Sequence, residues 1–298
     1  NRIVQARLDT NSGLSSGDPT LTEGHGWVKV FGSWVDQDER GGVSGYDGDS
    51  KGLVLGFDGN VNDTLKLGMA LAYNQTQTDS KSLTAPNSAS IDSYQLVGYG
   101  SYALDQRTEL SFQGDLGLSD VEGSRLITFM SPVLVAGSDY DTRSFHLGLG
   151  LGRTYDLSGT TQLAPQLRVD YSRLDSDSYT ETGAGALNLR VEDSRVEALD
   201  LAAEVKLNHQ IGEGTQLSAN LGVAYDTINE QIMLGSAFVG GGGTFITPGM
   251  QPEPWIGRAG VGLTTTLSNG LEVNARYDLE TREDFSNQTA SVKVRWPF

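Results

Sequence analysis

The sequence has no cysteine and few basic residues. It contains 21 Lys and Arg residues and 38 Asp and Glu residues, which gives a formal net charge of −17. The absence of cysteine excludes a small domain held together by disulfides. The acidic balance excludes a nucleic-acid partner, because binding to phosphates needs a basic face.

Long apolar runs are also missing. Only 37% of the residues are hydrophobic, and no stretch approaches the roughly 18 consecutive apolar residues of a membrane helix. The three histidines, His25, His146 and His209, lack the spacing of metal ligands. We therefore expect neither a metal site nor a cofactor.

Apolar and polar residues alternate in the C-terminal segment. Apolar Val292, Val294, Trp296 and Phe298 alternate with small or cationic residues, among them Lys293 and Arg295. Because successive strand side chains point to opposite faces, this segment predicts a strand with one apolar face and one polar face. A membrane β-barrel needs this pattern, with apolar side chains toward lipid and polar ones toward the lumen.

The same alternation recurs along most of the chain and predicts twelve strands. Their approximate bounds are 26–37, 52–61, 64–77, 92–104, 108–121, 139–156, 161–177, 189–210, 215–232, 253–267, 271–282 and 286–298. Short turns, such as Asn62-Asp63, alternate with longer loops, as in bacterial outer-membrane barrels. We predict an all-β, membrane-spanning, antiparallel up-and-down barrel of about 12 strands. The alternative is a soluble β-sandwich or a pair of them, which would not explain the alternating turn lengths.

The polar face of the predicted strands identifies the lumen. We expect ten charged side chains to face it: Asp115, Arg168, Asp170, Asp200, Glu204, Asp226, Glu272, Arg276, Lys293 and Arg295. The faces of the first strand stay unassigned, because Trp27, Lys29 and Phe31 share one face. Glycines at alternate positions, such as Gly148 and Gly150, would make room inside the lumen.

The N-terminal segment predicts a short helix over residues 2–9, which carries Arg2 and Arg7. A barrel of this size admits one helix but no folded domain. We therefore divide the chain into a linker with a helix lodged in the pore (1–25) and a barrel (26–298). The alternative is a frayed N-terminal tail. Because the chain begins abruptly at Asn1, we also expect it to be a fragment or a processed product.

Several segments together resemble the C-terminal translocator domain of autotransporters, the type V secretion proteins. Strand 1, Gly26-Trp27-Val28-Lys29-Val30-Phe31-Gly32, is similar to the Trp-x-Arg/Lys opening of that family. Gly45-Tyr46-Asp47 leads to Gly52-Leu53-Val54-Leu55-Gly56-Phe57-Asp58, which is similar to a hairpin of the family. The terminal strand with its final Phe also resembles the family, and the resemblance covers essentially the whole chain.

The resemblance implies a location and a function. Such a domain inserts into the outer membrane of a Gram-negative bacterium through the barrel-assembly machinery, and its C-terminus lies on the periplasmic side. It enables an N-terminal passenger domain to reach the cell surface, and its longer loops are extracellular. The implied assembly signal is Val292, Val294, Trp296 and Phe298, and the implied partners are outer-membrane lipid, the assembly machinery and the passenger. We expect a monomer. Some family members release the passenger by self-cleavage at an Asn-Asn bond. Asn1 at the start of this chain is consistent with such a cleavage.

Two other functions compete with this one: a passive pore without a passenger, and an outer-membrane lipid hydrolase. Gly48-Asp49-Ser50-Lys51-Gly52 matches the G-x-S-x-G string of serine hydrolases but is predicted to lie in a loop between strands, without the following helix. Ser144 and His146 share a face of one strand, which the alternation directs into the lumen. We therefore predict no catalytic residue.

Overall fold

A computed structural model describes residues 24–297, and its main feature is a twelve-stranded barrel. The prediction of an all-β antiparallel barrel is confirmed for these residues. We number the barrel strands β1 to β12. Their bounds are His25–Gln37, Tyr46–Asn60, Leu65–Ser80, Asn87–Ala103, Thr108–Ile127, Leu134–Arg153, Thr161–Ser176, Ser194–Gly212, Thr215–Asp226, Trp255–Thr266, Glu272–Arg282 and Phe285–Pro297.

The sheet closes on itself. Each strand pairs antiparallel with its neighbours in sequence, and β1 pairs with β12 along its whole length, from His25 opposite Pro297 to Gln37 opposite Phe285. Closure leaves no barrel strand with an unpaired edge. A two-residue strand, Tyr155–Asp156, extends the hairpin between β6 and β7.

The two ends of the barrel differ in their connections. At one end, which we call the short-turn end, the side-chain oxygens of Asn62 and Asp105 cap tight turns. Asn62 accepts the backbone N–H groups of Thr64 and Leu65, both at 2.9 Å. At the other end, the long-loop end, the connections 177–193 and 227–254 are the longest. The β11–β12 turn at this same end is short, with Asp284 at a φ of 60°.

Several loops are shorter than predicted. The segments 46–51, 78–80, 87–91, 122–127 and 134–138 belong to strands. Their Ser, Asp and Gly content suggested loops, but cross-strand pairing continues beyond the apolar band. Conversely, β8 begins at Ser194 and β9 ends at Asp226, because residues 189–193 and 227–232 lie outside the barrel strands.

The outer face carries the predicted apolar side chains. Leu53, Leu55 and Phe57 on β2, like Leu147, Leu149 and Leu151 on β6, are exposed. Aromatic pairs stand at the long-loop edge of this band: Tyr73 with Tyr94, Phe145 with Tyr171, and Tyr225 with Trp255. An apolar band edged by aromatic residues is the surface that a lipid bilayer requires. Among the described residues, no helix has the length and apolarity needed to cross a membrane.

A smaller structure stands at the long-loop end. Four short strands form a second sheet: Tyr179–Thr180, Leu189–Val191, Met233–Phe238 and Phe245–Pro248. Ile127 and Ala136 of the extended β5–β6 hairpin pack against Ala184, which lies between the first two strands of this sheet. Tyr179 stacks on Tyr140 at 4.4 Å between ring centroids, and burial raises the pKa of Tyr179 to about 12.

Candidate functional site: the barrel lumen

The inward face of the strands carries charged side chains of both signs. All ten side chains expected there occupy inward positions; Asp115, Asp170, Asp200, Asp226 and Arg295 are buried, and Arg168, Glu204, Glu272, Arg276 and Lys293 are partly buried. Trp27, Lys29 and Phe31 also face inward, which resolves the first strand. Charged side chains can lie in the lumen because side chains of opposite charge are close to them.

One group of lumen residues, which we call the seam cluster, bridges the junction between β1 and β12. It consists of Trp27, Asp58, Tyr99, Lys293 and Arg295. Arg295 donates from Nη2 to Asp58 Oδ1 at 2.6 Å, Tyr99 donates its hydroxyl to Asp58 at 3.2 Å, and the Trp27 indole N–H donates to the Tyr99 hydroxyl at 2.8 Å. The Lys293 ammonium lies 4.4 Å from the centre of the Trp27 ring. The cluster therefore links β12 to β1, β2 and β4.

Two glycines make room for the aromatic rings of the seam cluster. A Cβ atom at Gly56 would overlap the Trp27 indole, and one at Gly68 would overlap the Tyr99 ring. Any larger residue would displace the Trp27 and Tyr99 rings, and with them the hydrogen bonds from Trp27 to Tyr99 and from Tyr99 to Asp58. Alternating glycine thus has a packing role in this lumen, and Gly148 shows the same feature, with its Cβ position 2.5 Å from Asp170 Oδ1.

A second group, the histidine cluster, lies on β5, β6 and β7. His146 Nδ1 is 2.7 Å from Asp115 Oδ2, and His146 Nε2 is 3.3 Å from Asp170 Oδ1. Arg168 donates to both oxygens of Asp170, at 3.2 and 2.7 Å. Both imidazole nitrogens face carboxylates, so this histidine cannot also serve as a base for Ser144.

A third group pairs charges on the opposite wall. Arg258 on β10 donates to Asp200 on β8 and to Glu280 on β11, both at 3.2 Å. Arg276 binds Asp278 at 2.9 Å and also contacts Asn220. Within the described lumen, cations and carboxylates therefore occur together rather than as a surface of one sign.

The lumen opens toward the long-loop end through a cavity of about 400 Å³. Its walls include Arg40, His146, Glu253, Arg282 and Phe285. Arg40 bridges Glu253 at 2.7 Å, which ties the loop after β1 to the loop before β10. The cavity lies between the lumen and the long loops, and the described residues include no group that could hold a metal ion.

The remaining candidate motifs give no catalytic arrangement. Gly48 to Gly52 lies inside β2, so the prediction of a loop there is wrong, and the strand continues where a nucleophile elbow needs a helix. Arg2 and Arg7 of the expected pore helix, and Phe298 of the expected assembly signal, lie outside the described residues. Val292 and Trp296 face outward on β12.

Sequence reasoning missed Asp58 and Tyr99. The sequence places Asp58 only in a hairpin similar to one of the family, and no role is predicted for Tyr99. The alternation along each strand could have shown that both face inward. Asp58, like Gly56, and Tyr99, like Ser101, alternate with outward-facing residues.

A closed barrel with an apolar, aromatic-edged outer face and a charged lumen is a bacterial outer-membrane barrel. The family model for the autotransporter beta-domain matches residues 26–278. The chain belongs to this family and is an outer-membrane translocator domain; export of a passenger is the family role.

Known structures and sequences agree with this assignment. The translocator domain of the autotransporter NalP from Neisseria meningitidis has a similar fold, with a TM-score of 0.81, 19% identity, and coverage of 100% of this chain and 95% of that one. Outer membrane protein B from Rickettsia typhi is 23% identical over 96% of this chain but only 18% of its own length. The chain therefore spans about a fifth of this relative.

A further relative bears an enzyme name. Esterase EstA from Pseudomonas aeruginosa is 26% identical over 52% of this chain and 24% of its own length. Both imidazole nitrogens of His146 contact carboxylates, and Ser50 lies within β2. Neither residue therefore supports esterase chemistry in the barrel itself.

Proposed function

We propose that this barrel anchors an N-terminal passenger in the outer membrane and that the passenger reaches the cell surface through the lumen. The observation that supports the proposal is a closed twelve-stranded barrel whose lumen pairs its own charges. An extended or helical segment can pass along such a wall without meeting a surface of one sign. Residues 1–25 would form the linker, with the helix over residues 2–9 in the pore and Arg2 and Arg7 facing lumen carboxylates. Residues 26–298 would be the barrel domain.

The short-turn end would face the periplasm and the long-loop end the cell exterior. Tight capped turns at one end and a second sheet at the other are the asymmetry of outer-membrane barrels. The C-terminus then lies in the periplasm, where the barrel-assembly machinery could bind β12. The closed sheet supports a monomer surrounded by outer-membrane lipid.

The proposal is tested by display of a reporter. A small epitope-tagged domain fused before Asn1, with a secretion signal, should become accessible to protease added outside intact cells. The same fusion ending before Phe285, and so lacking β12, is the control that should not assemble. A folded barrel with its reporter retained in the periplasm would overturn the proposed export.

Conductance separates a plugged translocator from a passive pore. We expect low conductance for the whole chain in planar bilayers, and an increase when residues 1–20 are deleted, because the pore would lose its helix. Deletion of the exposed turn residue Leu157 is a control for nonspecific opening. If the N-terminal deletion left conductance unchanged, the lumen would not hold that segment.

We propose no enzymatic activity for the barrel. The two imidazole nitrogens of His146 are occupied by carboxylates, and Ser50 lies in a continuous strand.

A further inference from the structure

The outer face of the barrel carries few cations, and they are unevenly placed. In the described strands, the outward positions hold five: Lys51, Arg143, Arg153, Arg173 and Arg195. Three of these, on the neighbouring strands β6, β7 and β8, lie together at the long-loop end. We call Arg143, Arg173 and Arg195 the arginine patch.

The arginine patch begins where the aromatic edge of the apolar band ends. Phe145 lies opposite Arg173 in the register of β6 and β7, and it packs on Tyr171 with 6.2 Å between ring centroids. Arg143 and Arg195 both lie opposite Asp175, two positions farther from the band. If aromatic residues mark the interface, the patch is at the depth of the lipid headgroups.

Asp175 holds two of the arginines side by side. It accepts Arg173 Nε at 2.7 Å and Nη2 at 2.9 Å, and it accepts Arg195 Nε at 2.7 Å. Arg143 donates one bond, from Nη2 to Asp177 at 3.1 Å. Since each guanidinium has five N–H donors, the bonds to these carboxylates leave donors on all three arginines for a further acceptor.

The arginine patch is accessible from outside the barrel. The side chains of Arg143, Arg173 and Arg195 are 63%, 36% and 57% exposed. Nearby Glu197 accepts the Tyr171 hydroxyl at 2.5 Å. The chain as a whole is strongly acidic, so a general attraction for anions is not expected, and binding would depend on these three side chains.

We propose that the arginine patch binds the phosphate groups of a phosphorylated glycolipid in the outer leaflet. Guanidinium groups bind phosphate with paired hydrogen bonds, and basic side chains at a membrane surface attract anionic headgroups. The apolar surface of β6 to β8 beneath the patch would contact the acyl chains of the same molecule. The inference rests on the proposed orientation, in which the long-loop end faces the cell exterior.

Binding can be measured with the full chain refolded in nonionic detergent. The probe is diphosphoryl lipid A, titrated against the intact chain and against the R143Q/R173Q/R195Q variant. We expect the dissociation constant to rise about tenfold or more, because the variant loses three cations that would attract the anionic headgroup. The matched control is K51Q/R153Q, which removes the other outward cations and should bind as the original chain does.

Three further measurements decide the interpretation. Resistance to SDS without heating verifies that each variant is folded. Lipid A stripped of phosphate should bind the original chain and the triple variant equally, and inorganic pyrophosphate at equal concentration should not compete. Equal binding of lipid A by the triple variant would overturn the site, and full displacement by pyrophosphate would show a free-anion site instead. Protease digestion of the long loops on intact cells tests the orientation separately.

Discussion

Replacing Asp58 by alanine is expected to lower the free energy of unfolding by about 3–5 kcal/mol, the cost of removing one partner from a buried ion pair. The Asp58 side chain is fully buried, and Arg295 contacts it at 2.6 Å. Without the carboxylate, Arg295 would be left as a buried positive charge beside the partly buried ammonium of Lys293. Urea unfolding of the chain in detergent or lipid, followed by tryptophan fluorescence, measures the change.

A double-mutant cycle identifies the source of the loss. The variants are Asp58→Ala, Arg295→Met and the combination; the double variant should recover part of the stability, because no unpaired charge remains. Asp156→Ala is the control, since Asp156 forms an exposed pair with Arg107 at 3.5 Å. Its effect should be less than about 1 kcal/mol. Equal losses from Asp58→Ala and Asp156→Ala would show that the seam cluster does not stabilise the barrel.

The strands were predictable because the bilayer imposes a local pattern. Any strand between lipid and lumen must alternate with a period of two, so Leu147, Leu149 and Leu151 reveal both the strand and its outer face without knowledge of its neighbours. The same rule identified inward positions such as Asp170 and Arg276. The fold was therefore accessible from short segments read one at a time.

The seam cluster was not predictable in this way. Arg295 and Asp58 are separated by 237 positions, and Trp27 and Tyr99 by 72. Their contacts depend on closure and on the tilt of the strands, which determine which residues meet inside the barrel. A local pattern can show that a side chain faces inward, but it does not identify the partner.

The strand extensions were missed for a different reason. Beyond the apolar band, both faces of a strand meet water, so alternation disappears and polar residues resemble a loop. Cross-strand bonds still continue there, as between the hydroxyls of Ser88 and Ser124 at 2.9 Å. Farther along β5, Arg125 contacts Glu181, the residue after the strand Tyr179–Thr180, at 2.9 Å.

Removing Phe298, or replacing Trp296 by alanine, is expected to lower the amount of barrel assembled in cells about tenfold, the effect of losing one aromatic anchor at a recognition surface. We propose that Val292, Val294, Trp296 and Phe298 form the assembly signal. Trp296 is exposed on the outer face of β12, opposite Gly26 of β1. It is therefore available to a partner before the barrel closes. Heat-modifiable migration of the protein in outer-membrane fractions measures assembly.

The control is Trp255→Ala, which removes another exposed outward tryptophan, one that packs on Tyr225 in a different part of the barrel. Because the signal would act through the assembly machinery, all three variants should refold in detergent to similar yields. Only the two changes in the terminal strand should reduce assembly in cells. Normal cellular assembly without Phe298 and with Trp296→Ala would refute the signal, and a parallel loss in detergent would assign these residues to barrel stability instead. The comparison thus separates recognition of β12 from its packing against β1.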